Sequence, residues 1–411
     1  MTPLKWFSGF LKKYRLAIVI GLVLMTVIVA CAIVNPYISG MIVDDVIQGG
    51  AYDLLPKLIG IMLAVTAVRA ILRYATQMMF ETCSQGVLYR MRDAVYRKLL
   101  QDFAFYNRNR TGDLMSRQTG DMDAIRHFVA FVIYTVYENI LMFIFALVMI
   151  FMVNVKLALC MMAVLPFCLF TTYLQSKHVK PRFHECRQSF SSLNAFVQEN
   201  ISGNRVVKAF AKEEYEKEKF EKENDKYREA ELGAASIWCR FVPIFELLSN
   251  LLMVVLILYG GYQVICGEMT LGNLVTVNGY LWMLSNPLRF AGWWVNDVQR
   301  FITSVEKIYD TYSKEPDVKK PKKGIKRKEM QGNIEFRNVS YEVEGEDIIH
   351  NISFSVEKGQ TVGILGSTGA GKSTIMNLLC RFYDVTEGEV LVDGIDVKNW
   401  DLHDLRDNIG M

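Results

Sequence analysis

Long apolar runs separated by polar, cation-rich stretches fill the chain up to about residue 300, after which strand-sized apolar runs take over. Six of the long runs, at roughly 16–43, 54–80, 128–153, 156–176, 240–266 and 273–300, each reach the length of about 20 helical residues that a hydrocarbon core demands. The pattern predicts an all-α membrane domain of six helices over residues 1–313, then a polar linker over 314–330. A smaller domain follows from 331 to 411, with short strands and at least one helix.

The segments between the runs are patterned too. From Gln85 to Gln101 the residues Leu88, Met91, Val95 and Leu99 recur at three- and four-residue steps, which predicts an amphipathic helix continuing the second run. Phe105–Arg110 with Thr111-Gly112 is expected to interrupt it. The second long loop repeats the design: Ser189–Gln198 descends, Glu199–Ala209 turns and Lys212–Glu231 rises. Glu213–Lys217 and Glu218–Lys222 have the spacing and polarity of helix-supporting ion pairs, so 212–231 is expected to be a solvated helix face, with partner binding as the other reading. The two breaks, Thr111–Arg117 and Ile201–Phe210, combine small, apolar and basic residues suited to docking on another domain.

Charge orients the runs. Lys5, Lys12, Lys13 and Arg15 precede the first, and the loops 81–127 and 177–239 are rich in Lys and Arg, whereas Asp44, Asp45 and Asp53 surround the connection after the first run. The positive-inside rule then puts both termini and both long loops in the cytosol of a multi-pass protein of the cell membrane. Hydrophobic residues make up 51% of the chain against 22% charged, and the net charge is only +3, which gives no nucleic-acid groove. The mean hydropathy is +0.18, high for a chain with that much charge. A basic start followed by Ile28-Val29-Ala30-Cys31 resembles a lipoprotein signal, but the apolar sequence continues past Cys31, and a first span is the reading adopted. The eight cysteines have no paired spacing and are expected to be small apolar packers; His184 and Cys186 lack further ligands for a metal. Lys314–Met330, with Pro316 and Pro321, is Lys-rich and is expected to connect the domains, with a secondary attraction to anionic headgroups.

The densest chemistry lies in Gly366-Ser367-Thr368-Gly369-Ala370-Gly371-Lys372-Ser373, followed by Thr374. Its glycines permit backbone angles closed to other residues, so that amides can converge on an anion at the positive end of the following helix. Lys372 would reach the β- and γ-phosphates of ATP, the Ser373 hydroxyl would bind Mg²⁺, and Thr374 adds a hydroxyl near the α-phosphate. Thr361–Leu365 before the loop is expected to be a buried strand, and Ile375, Met376, Leu378 and Leu379 after it have helical spacing.

These features together make the whole chain resemble an exporter-type half-transporter of the ATP-binding cassette superfamily. The resemblance rests on Phe105–Arg117, Glu199–Phe210, Asn286-Pro287-Leu288-Arg289 and the phosphate loop. It implies six long helices with cytosolic extensions, followed by the N-terminal part of an α/β P-loop nucleotide-binding domain. It also implies a second half-transporter as partner, in a homodimer or heterodimer, with the two breaks acting as short coupling helices. Ile334, Phe336 and Val339 suggest a first strand, Ile348–Val356 a second, and Glu389–Val397 a later one with an Asp393-Gly394 turn. The aromatic slot that stacks on adenine in that family is Val343 here, and Tyr341 is the nearest ring, for either stacking or strand packing. Met411 falls just before that family's glutamine loop. The expectation is therefore a truncated piece of a longer parent, which alone does not hydrolyse ATP at a useful rate.

Arg69, Arg73, Glu138, Glu246, Asn250, Asn286 and Asp297 fall in or near apolar runs, either lining a polar substrate path or already paired or wet. Trp282, Trp293 and Trp294 are interface anchors or ring contacts for cargo. ATP-driven export by a dimeric transporter embedded in membrane lipid is the reading adopted. A non-hydrolysing regulatory or structural partner subunit is the alternative, and the transported substrate is not specified.

Overall fold

A computed structural model of the chain describes residues 2–99, 103–321, 323–326, 329–343 and 345–411. Gln101, at which the amphipathic helix was expected to end, lies outside the described residues, as do linker residues 322, 327 and 328 and the side chains of Cys168, Leu288 and Arg289. The chain folds as two compact units. One comprises residues 1–10, 86–125 and 302–411, the other residues 11–85 and 126–301.

The helical unit is built on α2 (Arg15–Met41), α3 (Leu55–Leu99), α7 (Ile133–Val153), α8 (Val155–Met162), α9 (Leu165–Ala209), α10 (Glu213–Val255) and α12 (Leu271–Ser313), with α11 (Gly261–Ile265) near the end of α10. Helix α3 runs unbroken for 45 residues, because no proline or glycine pair interrupts its i→i−4 ladder, and α2 continues through a wider turn from Ile42 to Gln48. Four helical stretches among the described residues are long and apolar enough to cross a membrane: Pro3–Gln48, Tyr52–Leu99, Thr111–Val153 and Glu213–Ile265. The expected runs 156–176 and 273–300 are helical, within α8, α9 and α12, but are not among those four.

Small residues set the close approaches. A Cβ on Gly272 would collide with the Gly40 carbonyl and the Asp44 carboxylate, and one on Gly279 would lie 2.6 Å from Pro36 Cβ. The Gly272 amide donates to Asp44 Oδ1 at 2.6 Å, and the buried Tyr280 hydroxyl donates to the Ile33 carbonyl at 3.0 Å. Ala146, Ile150, Leu157, Leu252 and Leu256 complete a core around these contacts.

The hairpin of α9 and α10 corrects the sequence reading. Residues 199–209 continue α9 as helix, and the chain reverses only at 210–212, where Ala211 takes φ +49. Gly203 and Asn204, both weak helix formers, are carried inside a 45-residue helix already under way. On α10, Lys217 pairs with Glu214 at 2.7 Å instead of Glu213, and Lys226 with Glu223 at 2.5 Å; exposed Lys stems reach i−3 as easily as i−4.

The other unit carries α1 (Pro3–Leu11), α4 (Phe103–Arg108), α5 (Thr111–Ser116) and a four-stranded antiparallel sheet ordered β2-β1-β3-β4. Its strands are β1 (Ile334–Val343), β2 (Glu346–Val356), β3 (Glu387–Val392) and β4 (Ile395–Asp396), the last two joined at Asp393-Gly394 as expected. Helices α13 (Lys372–Leu379) and α14 (Leu402–Asp407) complete it. In register, Phe336 of β1 opposes Phe354 of β2 and Val390 of β3, with the Phe336 and Phe354 rings stacked at 4.6 Å. Ile375, Leu378, Leu379, Trp400 and Leu405 close the core over one face of this sheet.

Two further expectations change here. Among the described residues the break expected over Phe105–Arg110 with Thr111-Gly112 narrows to Asn109-Arg110, because residues on either side enter α4 and α5. Thr361–Leu365 is not a buried strand: it takes no regular secondary structure, with Val362 50% and Leu365 96% exposed. Among the described residues the sheet offers this apolar run no neighbouring strand, and a strand without ladder partners gains neither hydrogen bonds nor burial.

Candidate functional site

The phosphate loop is shaped by its glycines. Gly369 has φ +88 and Gly371 has φ +80, the left-handed region that L side chains resist. Gly371 is also the N-cap of α13, and a Cβ there would lie 3.0 Å from the Ile348 carbonyl of β2. The loop thus turns into its helix while pressed against strand backbone, a path only glycine follows. Ile375, Leu378 and Leu379 are buried, which fixes α13 and so fixes the direction in which its N-terminal amides point.

Ser367–Ala370 are exposed, and Ala370 N donates to Ser367 O at 3.2 Å. Lys372 Nζ folds over the loop and donates to the carbonyls of Gly366 at 2.8 Å and Ser367 at 2.6 Å. Among the described residues, the amides of Gly369, Gly371, Lys372 and Ser373 have no protein acceptor. One ammonium, amides without a protein acceptor and the N-terminus of α13 therefore lie together on an exposed loop, a set of donors suited to an anion. Among the described residues no group of three His, Cys, Asp or Glu side chains is placed to hold a metal.

Tyr341 lies one strand away from the loop. It opposes Ile349, whose Cγ1 would be 3.2 Å from a Cβ on Gly371. Its ring, however, packs on Tyr383 at 5.5 Å, and burial raises its hydroxyl pKa, with Tyr383 adding to the effect and Arg108 opposing it. Val343 ends β1 and is 41% exposed.

Helix α4 caps this aromatic pair. Asn107 Nδ2 donates to the Tyr383 hydroxyl at 2.9 Å, the Phe103 and Phe382 rings meet at 4.5 Å, and Arg108 pairs with Asp317 at 3.0 Å. Arg117, after α5, donates to Lys307 O at 3.3 Å, pairs with Asp310 at 3.3 Å and donates closely to the Thr311 hydroxyl. The docking residues of this segment are therefore Phe103, Asn107 and Arg108 more than the Thr111–Arg117 stretch. In the second segment, Ile201, Val206 and Phe210 are exposed.

Sequence reasoning missed Arg381-Phe382-Tyr383-Asp384, just after α13. Arg381 is 3% exposed, takes φ +51 and uses its whole guanidinium. It binds Asp384 at 2.7 and 3.3 Å and the carbonyls of Lys398 and Lys319 at 3.0 Å each. The linker is held a second time by a parallel bridge from Ile325 to Trp400. It is thus tied to the sheet-containing unit at Lys319 and at Ile325, where the sequence suggested a polar connector with a secondary attraction to anionic headgroups. Two rings between an Arg and an Asp directly after a helix were the available signal.

In the helical unit, Arg73 pairs with the buried Glu138 at 3.2 Å, with Arg69 one turn away. His127 lies 3.9 Å from Asp297. Glu246 and Asn250 are exposed on α10, Asn286 is half-buried, and Trp282 and Trp293 are exposed.

Comparison with known proteins agrees with both parts. The family model of the ABC transporter transmembrane region matches residues 18–288, and the ABC transporter model matches 349–411. The uncharacterized ABC transporter ATP-binding protein YknU of Bacillus subtilis is 32% identical over 418 residues, covering 100% of this chain and 71% of that protein. An ATP-dependent lipid A-core flippase of Syntrophus aciditrophicus is 28% identical over 90% of this chain and 61% of its own length. A fatty acid ABC transporter ATP-binding/permease protein of Mycobacterium bovis is 29% identical over 89% of this chain and 58% of its own length. A helical membrane region followed by a small sheet-containing part, matched by both family models and by such relatives along the whole chain, shows that this chain belongs to the ABC transporter family.

Proposed function

We infer that the chain is one half of a dimeric ABC exporter, with six membrane helices in residues 1–313, a linker at 314–330 and nucleotide-binding sequence at 331–411. Membership of the family supports ATP-driven export in general, and the relatives named as a lipid A-core flippase and a fatty acid transporter favour apolar or amphipathic cargo. Both termini are assigned to the cytosol by the charge bias of the loops.

The observation that carries this reading is the cluster of donors at Gly366–Thr374, the amides of Gly369, Gly371, Lys372 and Ser373 beside the Lys372 ammonium. Its orphan amides would hold the β-phosphate, and Lys372 would leave the Gly366 and Ser367 carbonyls to meet the β- and γ-phosphates. Ser373 would hold Mg²⁺, which when bound neutralises charge on the phosphate oxygens. Tyr341, already engaged with Tyr383, is better suited to supporting the strand than to stacking on the base. For these 411 residues alone we expect retention of nucleotide without steady turnover, because a cradle does not orient the attacking water.

The test is retention of labelled ATP by the purified chain. The reading requires saturable binding that Lys372→Ala weakens by at least about tenfold, a charge-assisted contact being worth roughly 1.5–3 kcal/mol. Equal retention by the variant would overturn it.

A further inference from the structure

The helical unit contains a polar seam whose charges do not balance. On α3, Thr66, Arg69, Arg73 and Thr76 recur at steps of three and four, so they share one face. That face meets α2 and α7: Asn35 Nδ2 donates to the Thr66 hydroxyl at 3.0 Å, and Arg73 pairs with Glu138 at 3.2 Å. Thr76 is fully buried, and its hydroxyl has no partner among the described residues. Further along, the face becomes apolar at Phe80, which packs on Tyr134 at 5.3 Å and leaves no room for a Cβ at Gly21.

Glu138 accepts from Arg73, and Arg69, which also feels the Glu138 charge, has no ion pair of its own among the described residues. The seam holds two guanidinium groups and one carboxylate, a surplus of one positive charge. On the six-span reading, Arg69 stands 11 residues from residue 80, and Glu138 stands 10 from residue 128. At about 1.5 Å per residue both are roughly 15–17 Å from the cytosolic end of a core about 30 Å thick, close to its midplane. A guanidinium there is too deep to reach either headgroup layer and needs an anion brought to it. Val68 and Ile71, beside Arg69 in sequence, are 48% and 68% exposed, an apolar approach for a hydrocarbon tail.

We propose that Arg69, with Arg73 beside it, is the headgroup site for the exported substrate, and that this substrate is an amphiphile carrying an oxyanion on an apolar tail. The inference rests on the membrane-export reading above and adds the substrate class to it. Glu138 is the positioning residue: by occupying Arg73 it sets the surplus at one charge and directs the ligand towards Arg69. A planar guanidinium suits both carboxylate and phosphate oxygens, so the shared chemistry is the oxyanion, and the headgroup itself is separated by experiment.

The test uses the full chain in phosphatidylcholine nanodiscs without nucleotide. Equilibrium dialysis of octanoate, octyl phosphate and octyltrimethylammonium should show a preference of about tenfold or more for the oxyanions, and whichever of the two binds more tightly names the headgroup. Arg69→Gln should erase the preference, Arg69→Lys should keep most of it, and Arg69→Glu should reverse it towards octyltrimethylammonium. Glu138→Gln should strengthen oxyanion binding by freeing Arg73. No preference in the unaltered chain, or a preference that survives Arg69→Gln, overturns the proposal; it would then follow that Arg69 is neutralised by other means, such as a carboxylate of a second copy. Because nucleotide is absent, such a failure leaves the ATP-driven reading standing, and failure of labelled-ATP retention leaves this one standing.

Discussion

Replacing Arg381 with Ala should loosen the linker from the sheet-containing unit by an amount the structure allows one to compute. The guanidinium is buried and donates to three acceptors: the Asp384 carboxylate and the carbonyls of Lys319 and Lys398. The Asp384 side chain is 29% exposed, so water replaces much of that pairing, and the ion pair is discounted accordingly. Of the two carbonyls only that of Lys319 belongs to the linker, and it loses a charge-assisted hydrogen bond worth roughly 1.5 kcal/mol at the low end of its range. That cost falls on the linker, whose next tie is the pair of hydrogen bonds Ile325 N to Asn399 O at 2.9 Å and Asp401 N to Ile325 O at 3.0 Å. Hydrogen exchange reads those two amides directly. A loss of about 1.5 kcal/mol in local opening means roughly tenfold faster exchange at Ile325 and Asp401, while amides of the β1–β2 ladder stay protected. Lys at 381 should recover only part, since one ammonium does not span three acceptors in a fixed fork. Unchanged protection at Ile325 in Arg381→Ala would refute the role assigned to this side chain.

Further outcomes follow from other sites. Gly371→Ala puts a Cβ at φ +80 and 3.0 Å from the Ile348 carbonyl; strain of about 1–2 kcal/mol should distort the loop and weaken labelled-ATP retention several-fold. Gly272→Leu forces the Gly40–Gly272 approach apart and should lower thermal stability in detergent by about 1–3 kcal/mol, read as a lower unfolding temperature. The Cys186 thiol donates to Glu231 Oε1 at 2.8 Å, which raises its pKa above the ordinary thiol value. The stabilisation this gives is complete below that ordinary value and is lost as pH rises through the folded value. Glu231→Gln should therefore speed alkylation of Cys186 by iodoacetamide at mildly alkaline pH; no change would contradict the assignment.

What was legible in the sequence divides along physical lines. The long helices announce themselves because apolar length and periodicity are local properties, and so does the loop-to-helix turn, where Gly369 and Gly371 take the positive φ their residue type implies. Strands β1, β2 and β3 were read from short apolar runs. Thr361–Leu365 has the same composition and still forms no strand, because a strand is defined by partners that composition does not contain. The turn of the second hairpin was misplaced for a related reason. Gly203 and Asn204 suggest a break, but a helix already under way absorbs them, and reversal waits for Ala211. The role of Arg381 was invisible since its acceptors at 319 and 398 are distant in sequence. Arg69, Arg73 and Glu138 were visible as costly residues in apolar runs, but only the fold shows which of the cations holds the carboxylate.

The central claim, that the glycine-rich loop grips a triphosphate and thereby drives export, is tested most directly by Lys372→Ala in every copy of the intact transporter reconstituted in vesicles. The account predicts that the variant loses both labelled-ATP retention and nucleotide-dependent movement of solute across the bilayer. Solute movement at the unaltered rate in the same vesicles would contradict it.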